Sequence, residues 1–245
     1  MGNLPNKKFT EEEIYRILNY YKISKGGEAV VCEGPTDFSV YKIFTENMKI
    51  APMSENKEKK IELLHQLDLE HSNKVLSTIS CNGELVGYEA STSPYLQAYK
   101  AHELYLDDEE LLYYLKRTRD VLEYFKSKGV IYADFDTRNV LFDRHTGEIM
   151  FCDMDNVEVG GYKIDLLPWD LHEYSETRGI DYGVHPYMHN ILLLRLINED
   201  IYTMSAFLNR FRHFRRGAYP ILDTMLYPED FNDKYLVDYV KRLNR

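Results

Sequence analysis

The chain has 245 residues, of which 44% are hydrophobic, enough to bury a sizeable core in one large domain or two smaller lobes, so a disordered chain is not expected. Its 40 Asp and Glu against 30 Lys and Arg give a formal charge of -10, which opposes binding to a phosphate backbone, and no nucleic-acid partner is expected. Cys32, Cys81 and Cys152 lie in apolar runs without paired spacing and read as buried thiols of a reducing compartment. The N-terminus lacks the apolar core of a signal peptide, and the longest apolar run, Ile191 to Leu194, breaks at Arg195. The expectation is a cytoplasmic protein with no membrane partner.

In chain order, Ile14, Ile17, Leu18 and Tyr21 recur at helical spacing behind Thr10 and Glu13, a capping-box pair, and predict a helix from Thr10 to about Lys22. After Gly26-Gly27, the β-rich runs Ala29 to Cys32 and Phe38 to Phe44 flank Gly34-Pro35-Thr36-Asp37. They predict an antiparallel hairpin whose second strand carries Lys42. Glu55 to Leu67 reads as an amphipathic helix, with Ile61, Leu64, His65 and Leu67 on one side and charges opposite. Val75 to Cys81 and Glu84 to Glu89 follow as strands turned at Asn82-Gly83, the strongest short hairpin signal in the chain.

The second half changes character. Asp107 and Glu110 open a long helix whose buried stripe is Leu111, Leu112, Leu115, Val121, Leu122 and Phe125, and Gly129 ends it. Short β-like pieces, Val130 to Tyr132, Val140 to Phe142 and Ile149 to Cys152, alternate with the loops Ala133 to Asn139 and Asp143 to Gly147. Beyond Pro186 the pattern is mainly helical. Three regions result: a helical extension over 1–25, a β-rich lobe with one helix over 26–92, and a larger helical lobe over 93–245.

The segment Val130-Ile-Tyr-Ala-Asp134-Phe-Asp136-Thr-Arg-Asn139-Val-Leu-Phe142, followed by Ile149-Met-Phe-Cys-Asp153-Met-Asp155-Asn156, carries the chemistry. It resembles the catalytic loop and metal-binding aspartate of the protein-kinase superfamily, with D-x-x-x-x-N at Asp134 and Asn139 and the second aspartate at Asp153. The resemblance implies an α+β, two-lobed, protein-kinase-like fold with a small β-rich lobe and a larger mainly helical one. It also implies ATP and Mg2+ as cofactors and transfer of the γ-phosphate to a hydroxyl of a protein or small molecule. In that reading Asp134 orients or deprotonates the acceptor, Asn139 and Asp153 hold magnesium, and Asp155 is an added ligand. Gly34 lies in the hairpin over the nucleotide, and Lys42 pairs with its phosphates. Glu58 and Glu62 are the acids offered to Lys42, Glu62 being the expected partner, although simple spacing puts Lys60 nearest that place. Asp181 is the aspartate that braces the catalytic loop.

The chain departs from the family's pattern at several points. Tyr132-Ala133 replaces His-Arg, Asp153-Met154-Asp155 lacks the usual glycine, one glycine stands in the Gly34 turn, and no Ala-Pro-Glu follows Asp153. The short segment between Asp153 and Asp181 leaves little room for a peptide-binding loop and favours a small-molecule or unusual protein acceptor. The alternatives are a pseudokinase that binds nucleotide or a protein partner without transfer, and a haloacid-dehalogenase-like phosphatase with Asp134 as nucleophile and Asp136 as acid. A metal-binding D-x-D of a glycosyltransferase at Asp153 and Asp155 is weaker, since no βαβ series precedes it.

Overall fold

The first helix begins where its capping box predicts: the Glu13 amide donates to Thr10 Oγ1 at 3.3 Å, and the Thr10 amide donates to Glu13 Oε2 at 2.7 Å. In this computed structural model the described residues are 4–47, 49–92, 96–97, 108–134, 139–143, 146–165, 167 and 171–197. The fold is α+β, and the chain divides into two compact units, 1–94 and 95–245.

The first unit runs β1 (Asn6–Phe9), α1 (Glu11–Tyr20), β2 (Lys22–Lys25), β3 (Ala29–Glu33), β4 (Ser39–Glu46), β5 (Lys49–Ile50), α2 (Glu55–Leu67), β6 (Val75–Cys81) and β7 (Glu84–Ser91). Its sheet has the order β1-β6-β7-β4-β3-β2, with β5 paired to β4. The β1–β6 pair is parallel and the others are antiparallel. Asn82 and Gly83, with φ of 51° and 87°, make the tight turn between β6 and β7 that their sequence predicts.

Successive strand residues face opposite sides, so the buried neighbours Ile43 and Phe44 of β4 show that both faces of the sheet are covered. On one face Ile14 of α1 packs with Val30, Cys32, Tyr41, Ile43, Ile79, Cys81 and Val86. On the other, Phe44 contacts Tyr88, and Lys57 of α2 lies over the Phe44 ring at 4.8 Å. Within the stretch 1–25, expected as a helical extension, two strands join this sheet: β1 at one edge and β2 at the other, with α1 crossing between them. The short, polar strand β1 has no apolar run to announce it. Its Lys7 Nζ lies 2.7 Å from a Glu89 carboxylate that also accepts from Ser77 Oγ at 2.8 Å.

The buried side of α2 also differs from the expected pattern, because Lys57 and Lys60 are buried beside Ile61 and Leu64. Lysine stems are apolar enough to take up such positions when the ammonium finds a partner. Lys57 does so at Glu28 Oε2, 3.0 Å away.

The second unit runs β8 (Leu96–Gln97), α3 (Asp108–Ser127), β9 (Val130–Tyr132), β10 (Val140–Phe142), β11 (Ile149–Phe151), a 3-10 turn (Met154–Asn156), β12 (Val157–Val159), α4 (His172–Arg178) and α5 (Val184–Ile197). Its strands form a three-stranded sheet, β11-β10-β8, and a two-stranded β12-β9 ribbon. Leu115, Val121, Leu122 and Phe125 bury the α3 stripe, and Gly129 at φ 73° ends that helix as expected. From Val184 to Leu192 every residue of α5 is buried, as in a helix covered on all sides. The helical reading beyond Ile197 lies outside the described residues. Among the described residues no helix is long and apolar enough to cross a membrane.

If α1 is a structural part of the first unit, Ile14→Ala leaves a cavity at a fully buried site and lowers unfolding free energy by about 2–5 kcal/mol in denaturant titration. A loss below about 0.5 kcal/mol, the range of surface substitutions, would return α1 to the status of an appendage.

Candidate functional site

Aromatic packing fixes the strands that lead into the Asp134 loop. Tyr132 at the end of β9 meets Phe151 of β11 edge-on at 5.0 Å, and Phe125 of α3 meets the same Phe151 at 5.3 Å. Short strands leave many backbone groups unpaired by a ladder, and buried ones need partners from elsewhere. Tyr132 Oη donates to the Cys152 carbonyl at 2.6 Å, the Cys152 amide donates to the Asn139 carbonyl at 2.8 Å, and Asn139 Nδ2 donates to the Asp134 carbonyl at 3.1 Å. With the chain from Tyr132 to Asp134, these bonds close a ring.

That ring brings three of the expected residues together. Asp134 and Asn139 are joined directly, and Asp153 follows Cys152, which lies opposite Asn139 across the β10–β11 hairpin. All three are half-buried, so they are held yet reach solvent. Asp153 has φ 61° and ψ 43°, the left-handed region that a non-glycine residue enters at a cost of about 1–2 kcal/mol and that aspartate tolerates better than most. Asp155, one 3-10 turn on, is 1% exposed. Asp136 lies outside the described residues.

The donor set suits a hard cation. With Asn139 Nδ2 engaged, its amide oxygen remains as the metal-facing type of donor, and Asp153 supplies a carboxylate from the neighbouring strand end. Magnesium is commonly held by one or two protein oxygens and completes its shell with water and phosphate. Among the described residues no three His, Cys, Asp or Glu side chains gather as a metal cluster. Burial, with the Asp153 charge beside it, pushes the Cys152 thiol up to about 12, which keeps it protonated and unreactive at neutral pH.

The brace under this loop is not the one expected. Asp181 is exposed, and its Oδ1 accepts from the Gly183 amide at 2.8 Å and from Tyr174 Oη at 3.4 Å, which ties down the turn before α5. Four residues on, His185 Nε2 accepts from the Tyr132 amide at 3.0 Å. Burial, reinforced by the positive charge of Lys126, lowers the His185 pKa to about 4, so its ring is neutral. His185 shares an apolar helix with His189, and nothing local in the sequence reveals the partner of either.

Lys42, Gly34 and Glu62 belong to the other unit. Lys42 is half-buried on β4, opposite Val31 of β3 and Tyr88 of β7, with Nζ 5.9 Å from the centre of the Phe44 ring. Glu62 is exposed, on the side of α2 away from the buried Lys57, Lys60, Ile61 and Leu64, so it does not point to the sheet that carries Lys42. Lys60, at the place where spacing sought an acid, is fully buried. Gly34 has a packing role: a Cβ there would come within 2.7 Å of the Ser39 backbone, so only glycine closes the β3–β4 turn this tightly. The preceding hairpin, β2 to β3, turns through Gly26-Gly27, where a side chain at Gly27 would meet nothing within 4 Å. Compared with known proteins, the chain matches no family model and no curated protein.

A histidine held neutral in the fold but free to protonate when unfolded makes stability depend on pH in one direction. Between about 6.5 and 4 the unfolded chain binds the proton and the folded one does not. The contribution of His185 is therefore complete above about pH 6.5 and declines as the pH falls towards 4. Denaturant titrations of wild type and His185→Gln at pH 7.5 and 5 read this as a smaller loss in the variant. Equal losses would show that His185 titrates normally.

Proposed function

We propose that this chain is a protein-kinase-like phosphotransferase that moves the γ-phosphate of ATP to a hydroxyl acceptor. The observation that carries the reading is the hydrogen-bonded ring that holds Asp134, Asn139 and Asp153 on one loop and two adjacent strand ends. Phosphoryl transfer asks little covalent help of a protein and much positioning, and such a frame supplies positioning.

In this reading Asp134 orients the acceptor hydroxyl or takes its proton. Asn139 and Asp153 hold magnesium, which when bound neutralises phosphate oxygens. Lys42 lies on the third strand of the antiparallel run β2-β3-β4, ahead of α2, and serves the phosphates; the proposal includes a two-lobed, kinase-like arrangement of the units. Asp155 supports the loop from within rather than as an equal ligand, since it is buried. The Gly26-Gly27 turn replaces Gly34 as the glycine-bearing hairpin nearest in order to the family's loop. The short segment between Asp153 and Asp181 favours a small-molecule hydroxyl over a peptide laid along an extended loop.

One observation favours the pseudokinase as a second reading: the buried side of α2 carries Lys57 and Lys60, and Glu62 faces away. A kinase needs its lysine and helix glutamate paired for full activity. The phosphatase reading loses its support, because β9, the strand before Asp134, pairs antiparallel with β12 and has no place in an alternating series of parallel strands.

Titration calorimetry of the full chain with a non-hydrolysable ATP analogue, with and without magnesium, tests the reading. Magnesium-dependent saturation is expected, and its absence would overturn the nucleotide site. Asp153→Ala is expected to remove the magnesium dependence. Asp134→Asn keeps analogue binding within about twofold and, once an acceptor is known, lowers transfer by about 10²–10⁴-fold. Binding without transfer to any hydroxyl acceptor class would select the pseudokinase.

A further inference from the structure

We infer that His185 is the positioning residue of the Asp134 loop, acting through the Tyr132 amide as a neutral hydrogen-bond acceptor. The inference rests on the phosphotransferase reading for its functional consequence and on geometry alone for the positioning.

The geometry is specific in three respects. His185 is 1% exposed on α5, a helix whose residues are buried without a break from Val184 to Leu192, so the ring has no room to turn away. Its Nε2 lies 3.0 Å from a backbone N–H that can only donate, so this nitrogen accepts and the ring carries its proton on Nδ1. The residue it holds, Tyr132, is two positions from Asp134 and itself donates to the Cys152 carbonyl next to Asp153. One imidazole nitrogen thus anchors the point from which the ring of hydrogen bonds reaches both ends of the site.

An aspartate in this place would accept through a charge that stays put above about pH 4. An imidazole accepts only while deprotonated, and a second proton, on Nε2, would turn two N–H donors against each other. Of the groups facing the ring, all but one oppose that proton or leave it unaided. Lys126 of α3 is positive, the Tyr132 amide is a donor, and the Tyr182 ring meets His185 edge-on at 6.1 Å. The Leu122 carbonyl of α3 is the acceptor on offer. Protonation therefore costs the Tyr132 contact, and any opening that frees this amide becomes easier as the pH falls from about 6.5 towards 4.

Two variants of the full chain separate positioning from packing. His185→Gln offers a side-chain oxygen close to the place of Nε2, whereas His185→Leu keeps the bulk and offers none. Amide hydrogen exchange at Tyr132 is expected to rise about tenfold in His185→Leu and to stay within about threefold in His185→Gln. Magnesium-dependent affinity for a non-hydrolysable ATP analogue is expected to follow the same order, with an about tenfold loss in the leucine variant. Between pH 7.5 and 5 wild type loses more protection at the Tyr132 amide, corrected for intrinsic exchange, than His185→Gln, because the opened state takes the proton that the closed one refuses. Equal exchange and equal affinity in the two variants would assign His185 to packing and overturn the inference. If His185→Leu does not fold, the pH profiles of wild type and His185→Gln decide the question, parallel profiles counting against it. If wild type binds no analogue at pH 7.5, the phosphotransferase reading falls, while exchange at Tyr132 still decides whether His185 holds the loop.

Discussion

The ring of hydrogen bonds through Tyr132, Cys152, Asn139 and Asp134 is the constraint on which the second unit's chemistry depends. Strands of three residues cannot pair all their backbone groups with one another, and the pieces around Asp134 lie against buried aromatic rings where water is not a substitute. Side chains therefore complete the ladder: a phenol for one carbonyl, an amide for another, an imidazole for an amide. Each such bond is worth only about 1 kcal/mol net, but each left unmade in the interior costs about 1–3 kcal/mol, so the arrangement is held chiefly by the expense of breaking it. That expense lets Asp153 remain in a left-handed conformation at the end of β11.

Aromatic packing and hydrogen bonding divide the labour. Phe125, Tyr132 and Phe151 set the separation of α3, β9 and β11, and Tyr114 stacks on Phe142 of β10 at 4.3 Å to place the remaining strand. Tyr132 belongs to both systems, its ring in the cluster and its hydroxyl in the ring of hydrogen bonds. In the first unit the corresponding work is done by a sheet covered on both faces, with Ile14 under one and Phe44, Lys57 and the apolar side of α2 on the other. The buried lysines of α2 are the unusual element there. Taking an ammonium out of water is costly unless it is paired, and Lys57 meets this with Glu28 and with the face of Phe44.

The sequence by itself determined most of the elements, because their signals are local. Capping at Thr10, the period of Glu55 to Leu67, the Asn82-Gly83 turn and the glycine after α3 each act through a few neighbouring residues, and all appear where expected. The order Asp134, Asn139, Asp153 was equally legible, since a motif is a spacing along the chain. Only the tertiary structure decided which residues serve that motif. The parallel pairing of β1 with β6 joins positions more than seventy residues apart, and His185 meets Tyr132 across 53. It also turned Lys57 and Lys60 inward, where periodicity had placed the charges outward, and kept Glu62 on the solvent side, away from the pairing with Lys42 that the resemblance implied. Contacts of that kind are chosen by what the packed core leaves unsatisfied, a quantity that exists only once the elements have met.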